Sequence, residues 1–193
     1  ERRAELAEAV RLGNYRSNAL GVELGHRYTS NAVVSDGTPF PESSRDPDLY
    51  YEPTTHPGAY LPHAWIEHDR KQISTLDIVG RGQFTLIVGI GGEPWAQAAA
   101  RVKTDLGVDL VVRFVGARCE YDDVLGEWAA ARGFGDHGAL LVRPDRHIAW
   151  RSKDLAPAPA EALRAAVQQV LSLDRGLGGV RPVTAPAERR PVG

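Results

Sequence analysis

From residue 84 onward, short uninterrupted apolar runs alternate with amphipathic ones, and that order restricts the fold more than any other feature of the chain. Residues 84–90 and 108–115 are runs of strand length, rich in Val, Ile and Phe. Between them, 94–106 has helical spacing; Pro94 suits a first turn and Gly107 a C-terminal cap. Residues 121–132 read as a second helix, with Val124, Leu125 and Trp128 on one face and Gly133 after it. Residues 139–142 and 147–150 read as two strands joined in a hairpin by Arg143-Pro144-Asp145-Arg146, and 159–171 as an amphipathic helix. A strand–helix–strand unit crosses over right-handedly and makes its two strands parallel. The hairpin adds an antiparallel edge. The expectation is one mixed sheet containing the strands at Phe84, Val108, Ala139 and His147, with helices on both faces.

A βαβ unit followed by a ββα unit is the thioredoxin order. The expected fold class is therefore α/β, thioredoxin-like (βαβ-α-ββα, a mixed sheet with helices on both faces), preceded by a helix and an extended Pro-rich arm. Residues 1–12 read as that helix, with Leu6, Ala9, Val10 and Gly13 on one face. Beyond Gly21, the alternation of Val22, Leu24, His26 and Tyr28 reads as a short strand, and 31–34 as a second apolar scrap stopped by the turn signal Asp36-Gly37. Residues 35–63 are broken by Pro39, Pro41, Pro47, Pro53, Pro57 and Pro62, and no period survives. This stretch reads as an arm that crosses another surface, anchored by Phe40, Tyr50, Tyr51 and Tyr60, with few contacts to its own core. Trp65-Ile66 and 73–76 read as short strands around Asp69-Arg70-Lys71. The expected organisation is 1–20 helix, 21–63 short strands and arm, 64–173 thioredoxin-like domain, and 174–193 a disordered tail rich in Gly, Pro and Arg.

Composition narrows the function classes. With 42% hydrophobic residues, a sizeable core can form. A net charge of −2 gives no basic surface for nucleic acid or anionic membrane, and no apolar run approaches the roughly 20 residues that span a bilayer. The single cysteine, Cys119, excludes an internal disulfide and suits a reducing cytosol, so a cytoplasmic location is expected. The chain has no methionine, even at position 1. A piece of a longer chain is the expectation that follows.

The chemistry-bearing patterns are weak. A redox thioredoxin carries Cys-x-x-Cys where its first helix begins, because the helix N-terminus stabilises a thiolate. That place here is Gly91-Gly92-Glu93-Pro94-Trp95, and the proline that such proteins carry before the later strand is replaced by Asp136-His137-Gly138. Thiol redox activity is not expected, and Cys119 reads as a small packing residue. Gly89-Ile90-Gly91-Gly92-Glu93-Pro94 lies between strand and helix, but a dinucleotide fingerprint needs glycine at 94 and the chain has Pro94. Gly176-Leu177-Gly178-Gly179 follows a helix, the wrong context. Of His26, His56, His63, His68, His137 and His147, the closest to a metal set is His63 and His68 with Asp69, whose spacing fits neither a helical pair nor a zinc finger. Glu67, Asp69 and Asp77 read as surface charge. The basic run 143–147 is one hairpin tip without interleaved aromatics. No catalytic, cofactor-binding or metal residue is assigned.

Several separate blocks nevertheless carry a resemblance. Residues 57–65 (PGAYLPHAW), 74–80 (STLDIVG) and 83–87 (QFTLI), then 141–145 (LVRPD) and 148–151 (IAWR), resemble the C-terminal region of flavin-dependent aromatic hydroxylases, the para-hydroxybenzoate and phenol hydroxylase superfamily. Residues 21–28 (GVELGHRY) resemble the segment after their last FAD-domain helix. The run through Asp36-Gly37-Thr38-Pro39-Phe40-Pro41 and Arg45-Asp46-Pro47 resembles their chlorophenol-hydroxylating members. One departure is Arg146, where the family hairpin usually has Gly. The resemblance implies a parent monooxygenase that uses FAD and NAD(P)H, with both handled by upstream domains; 1–20 would be the end of a helix from the FAD domain. It implies for this chain a redox-dead structural or dimerisation domain whose partners are the upstream FAD and substrate domains and possibly a second copy. The alternative is a free-standing, redox-inactive thioredoxin-like binding protein.

Overall fold

The computed structural model describes residues 2–173. It has the elements α1 (Arg2–Ser17), α2 (Leu20–Leu24), β1 (Trp65–His68), β2 (Lys71–Ser74), β3 (Thr85–Val88), α3 (Glu93–Leu106), β4 (Val111–Gly116), β5 (Tyr121–Asp122), α4 (Glu127–Ala131), β6 (Ala139–Val142), β7 (Ile148–Ser152) and α5 (Pro159–Val170). The fold is mixed α/β around one seven-stranded sheet in the order β2-β1-β5-β4-β3-β6-β7. β3 runs parallel to β4 and antiparallel to β6, and β6 is antiparallel to β7. The strands expected at Phe84, Val108, Ala139 and His147 thus share one sheet. β1 and β2 extend it through the two-residue β5.

β3 reads as four buried residues in a row, yet its side chains divide with period 2. Leu86 and Val88 point to the layer formed by α3 and α5, where Trp95, Ala98, Val102, Leu163, Ala166 and Val167 close the core. The Trp95 and Trp150 rings meet edge to face there, 5.4 Å apart. Ile87 points to the opposite layer, with Leu140, Val142 and Ile148 against Leu61, Ala64, Val79, Trp128 and Phe134. Each buried Val, Leu, Ile or Phe among them contributes about 1.5–3 kcal/mol by leaving water. Gly107 ends α3 in the left-handed region at φ 69°, and Pro94 sits in its first turn, both as the sequence suggests. Helices do lie on both faces, though unequally: α3 and α5 on one, the five-residue α4 on the other.

Four expectations are corrected. The alternating stretch from Val22 to Tyr28 is no strand: Leu20–Leu24 forms α2 and the rest is irregular. A strand needs a ladder partner, and the nearest edge, β7, is already bonded by Val34 and by Gly58 and Ala59. Gly21 packs so closely on Pro47 that a Cβ there would lie 1.8 Å from the Pro47 carbonyl oxygen.

Residues 121–132 are not one helix. Tyr121 and Asp122 are drawn into the sheet by β4 and β1, and Gly126 at φ 70° delays the helix to 127–131. The Asp123 carboxylate accepts from the backbone N–H groups of Trp128 (3.1 Å) and Ala129 (2.8 Å), which satisfies the free donors of that late start. Val124 and Leu125 end up exposed, and Trp128 alone of the three is buried.

The arm is irregular throughout, but its second half does not leave its own domain. Thr55, His56, Ala59, Leu61 and Ala64 are buried. Gly58 N–H donates to the Ile148 carbonyl (2.8 Å), Ile148 N–H to that of Ala59 (2.9 Å), and Leu61 N–H to that of Arg146 (2.9 Å). Prolines at 57 and 62 leave these intervening donors free to cover the exposed edge of β7. Finally, α1 ends at Ser17, between the periodic stretch 1–12 and the 1–20 span expected of it, and none of its apolar side chains is buried: Leu6, Val10 and Leu12 are all exposed. The tail expected from 174 onward lies outside the described residues.

Candidate functional site

The loop from Gly89 to Pro94 joins the C-terminal end of β3 to the N-terminus of α3, where open α/β sheets place their ligands. Here the place is filled by the chain itself. Gly91 N–H donates to the Asp136 carbonyl at 3.0 Å, and Trp95 Nε1–H donates to the His137 carbonyl at 2.8 Å. A Cβ on Gly91 would fall 2.0 Å from the His137 ring, one on Gly89 2.4 Å from the Asp136 carbonyl oxygen, and one on Gly92 2.5 Å from the Val88 side chain. Gly89 and Gly91 serve close packing of two loops, and Gly92 packs back on β3. A flavin or nicotinamide pyrophosphate needs that space and the Gly91 N–H, so the residues present do not fit such a group here.

Cys119 lies beyond β4, partly buried. Burial pushes its thiol pKa up, and Asp122, Glu93 and Asp136 add to the rise. A thiol held protonated is a poor nucleophile. His68 Nε2 lies 3.4 Å from Asp69 Oδ2, and His63 does not join them as a metal-holding group. The His63 Nδ1 faces Ser74 Oγ at 2.7 Å, while His68 Nδ1 faces the Glu120 carbonyl and its ring stacks on Tyr121. Glu67 lies on β1 opposite Gln72, Asp69 in the β1–β2 turn, and Asp77 accepts from Ser74 N–H in a capping box. Among the described residues, no group of three or more His, Cys, Asp or Glu side chains is placed to hold a metal ion. No described helix is long and apolar enough to cross a membrane.

The most elaborate polar arrangement was visible in the sequence only as a turn signal. Arg151, on β7, donates to Asp36 Oδ2 through Nε (3.0 Å) and through Nη2. Both side chains are only 7% exposed, so this is a buried pair. Thr38 donates to Asp36 Oδ1 from its hydroxyl (2.6 Å) and its N–H (3.0 Å). Arg151 Nη1 donates to Thr55 Oγ1 (3.2 Å), which in turn donates to the Arg132 carbonyl. His56 adds its ring, Nε2 facing the Thr38 carbonyl at 3.0 Å and Nδ1 that of Pro57 at 2.9 Å. Burial alone would raise the pKa of Asp36, but the bonds from Thr38 and Arg151 prevail and hold it well below the usual carboxylate range. Both Asp36 oxygens accept from within the fold, so the network locks the arm to β7.

Residues 54–173 match the family described as aromatic-ring hydroxylase, C-terminal. The chain belongs to this family. Aromatic-ring hydroxylases of known activity are similar over most of the chain. The 2,4-dichlorophenol 6-monooxygenase of Delftia acidovorans is 43% identical over 173 residues, covering 90% of this chain and 30% of that protein. The phenol 2-monooxygenase of a Pseudomonas species is 41% identical, covering 84% and 27%. Among solved structures, the flavin-dependent monooxygenase PieE, in complex with FAD and substrate, superposes with a TM-score of 0.82 at 50% identity, covering 89% of this chain and 29% of that one. Aklavinone-11 hydroxylase, in a ternary complex with FAD and aklavinone, gives 0.65 at 34% identity, covering 77% and 26%. The chain therefore spans about 30% of the length of the hydroxylases it matches.

Proposed function

We propose that this chain acts as the C-terminal, thioredoxin-like structural and dimerisation domain of a flavin-dependent phenol monooxygenase of the chlorophenol type, with no catalytic residue of its own. The β3–α3 loop carries the reading: it has no thiol, its Gly91 N–H is taken by the Asp136 carbonyl, and its Gly89 and Gly91 surfaces are closed by Asp136 and His137. The strand order β4-β3-β6-β7, with one parallel pair and then antiparallel ones, supports the thioredoxin-like assignment. FAD and NAD(P)H belong, on this reading, to the domains that precede it in such enzymes, in cytoplasmic breakdown of aromatic compounds. The contribution of the chain is mechanical. Its sheet and the Asp36–Arg151 lock present a fixed outer surface on which those domains and a second copy can seat.

The test exchanges this chain for the matching region of the Delftia 2,4-dichlorophenol 6-monooxygenase. The chimaera should bind FAD and hydroxylate dichlorophenol, whereas the purified chain should be colourless and leave insulin disulfides intact. Stoichiometric flavin on the isolated chain, or a folded, FAD-loaded chimaera without hydroxylation, would place chemistry in this region and overturn the proposal.

A further inference from the structure

We propose that His147, packed against Tyr28, Tyr60 and His26, forms a proton-sensitive clasp that holds residues 26–28 against the β6–β7 hairpin and loosens as pH falls. The proposal concerns contacts within this chain and does not depend on the flavin reading. The His147 ring lies 4.6 Å from the Tyr28 ring, 5.3 Å from that of Tyr60 and 6.2 Å from that of His26, all edge to face. His26 in turn meets Tyr28 at 4.8 Å. The backbone closes the same joint. Tyr28 N–H donates to the Gly58 carbonyl at 3.0 Å, and Gly58 N–H donates to Ile148 at 2.8 Å.

The charges around His147 are unbalanced. Its Nδ1 faces the Asp145 carbonyl at 3.2 Å, so the neutral ring keeps its proton there and a second proton must enter on Nε2. Three further groups border the joint. The Arg143 guanidinium already occupies the Tyr28 ring at 5.1 Å, Arg146 Nη1 sits 3.4 Å from the Tyr60 hydroxyl, and the His26 ring stands edge to face with His147. A new imidazolium would compete with Arg143 for the same aromatic ring. The opposing charge is Asp145, 3.5 Å from Nδ1 but 41% exposed and screened by water.

Burial lowers the pKa of His147; Asp145 pulls it up, and Arg143 and His26 press it down again. The closed joint therefore binds the second proton less readily than the open one. Its stability is full above the ordinary histidine value of about 6.5 and declines as pH falls through that range.

Hydrogen exchange on the full chain tests this, with protection corrected for intrinsic rates at about pH 7.5 and about pH 5, either side of the ordinary histidine value. The Tyr28 and Gly58 amides should lose about tenfold in protection at the lower pH, the effect of coupling one partly buried titration to opening, while Val88 in β3 stays unchanged. His147→Gln should remove the pH dependence, whatever its absolute protection. In parallel, the His147 ring of the unaltered chain should titrate below free histidine, in step with the Tyr28 amide shift. A pH-independent Tyr28 amide, an equal loss in His147→Gln, or a His147 that titrates like free histidine would overturn the clasp.

Discussion

At the scale of single residues, the Asp36–Arg151 pair joins positions 115 apart in the chain and fastens the arm to β7. Removing one partner of a buried pair strands the other charge. Asp36→Ala should therefore cost about 3 kcal/mol or more, read as a drop in the urea midpoint of unfolding. The pH dependence follows from the lowered pKa of Asp36. The unfolded chain binds the proton more readily, so the stabilisation is complete above the ordinary carboxylate value of about 4 and fades as pH falls below it. The gap between the unaltered chain and Asp36→Ala should narrow accordingly, and a gap constant down to about pH 2 would refute the linkage. Arg146 is the second such residue. It holds the left-handed conformation, φ 67°, which favours glycine. Its backbone N–H and carbonyl still bond Arg143 and Leu61, and neither bond needs a side chain. Arg146→Gly should raise stability by about 0.5–1 kcal/mol, because relief of the backbone strain outweighs a long contact to Tyr60. Equal or lower stability in urea unfolding would show that the Tyr60 and Gly80 contacts of Arg146 matter more than the strain.

At the scale of elements, the junction of β3 and α3 depends on loops that approach without side chains between them. Gly91→Ala would set a methyl group 2.0 Å from the His137 ring. The 135–138 loop must then retreat, which weakens the Gly91–Asp136 and Trp95–His137 bonds together. A loss of about 1–3 kcal/mol is expected, visible in unfolding curves, with a change in fluorescence from the otherwise fully buried Trp95. Unchanged stability would mean that this junction is looser than its geometry. The edge of β7 shows the same dependence on neighbours. Residues 58–61 cover it by hydrogen bonds that no local pattern in a proline-rich stretch announces.

At the scale of the whole molecule, α1 and α2 stand apart from the packed sheet. Leu6 and Val10 lie one turn apart on α1, 65% and 63% exposed, and Leu20 and Val22 on α2 are also more than half exposed. Tyr15 ties α1 to the arm through Asp48 at 2.5 Å, a bond that pushes the tyrosine pKa up to about 12. Apolar faces of this kind tend to find a partner. The isolated chain should self-associate in a concentration-dependent way in sedimentation, and Leu6→Lys with Val10→Lys should return it to monomer without lowering its unfolding midpoint. A monomer at every concentration would show that this face needs no cover.

The sequence by itself determined the central order of strands and helices. Runs such as 85–88 and the amphipathic α3 and α5 hold their own period, and Pro94 and Gly107 mark the helix ends locally. It also determined that no cysteine stands at the α3 N-terminus, and its blocks at 57–65, 74–80 and 141–151 were enough to point to the family. Only the tertiary structure decided the rest. Tyr121 and Asp122 suit a helix until β4 and β1 offer them ladder bonds. Val22 to Tyr28 alternates like a strand but meets no free edge. Residues 55–63 look like part of an arm that crosses another surface until the hairpin claims their N–H and C=O groups. Asp36 looks like any turn aspartate until Arg151 arrives from across the fold. In each case a backbone donor or a buried charge must be satisfied by a partner remote in sequence, and local periodicity contains no information about that partner.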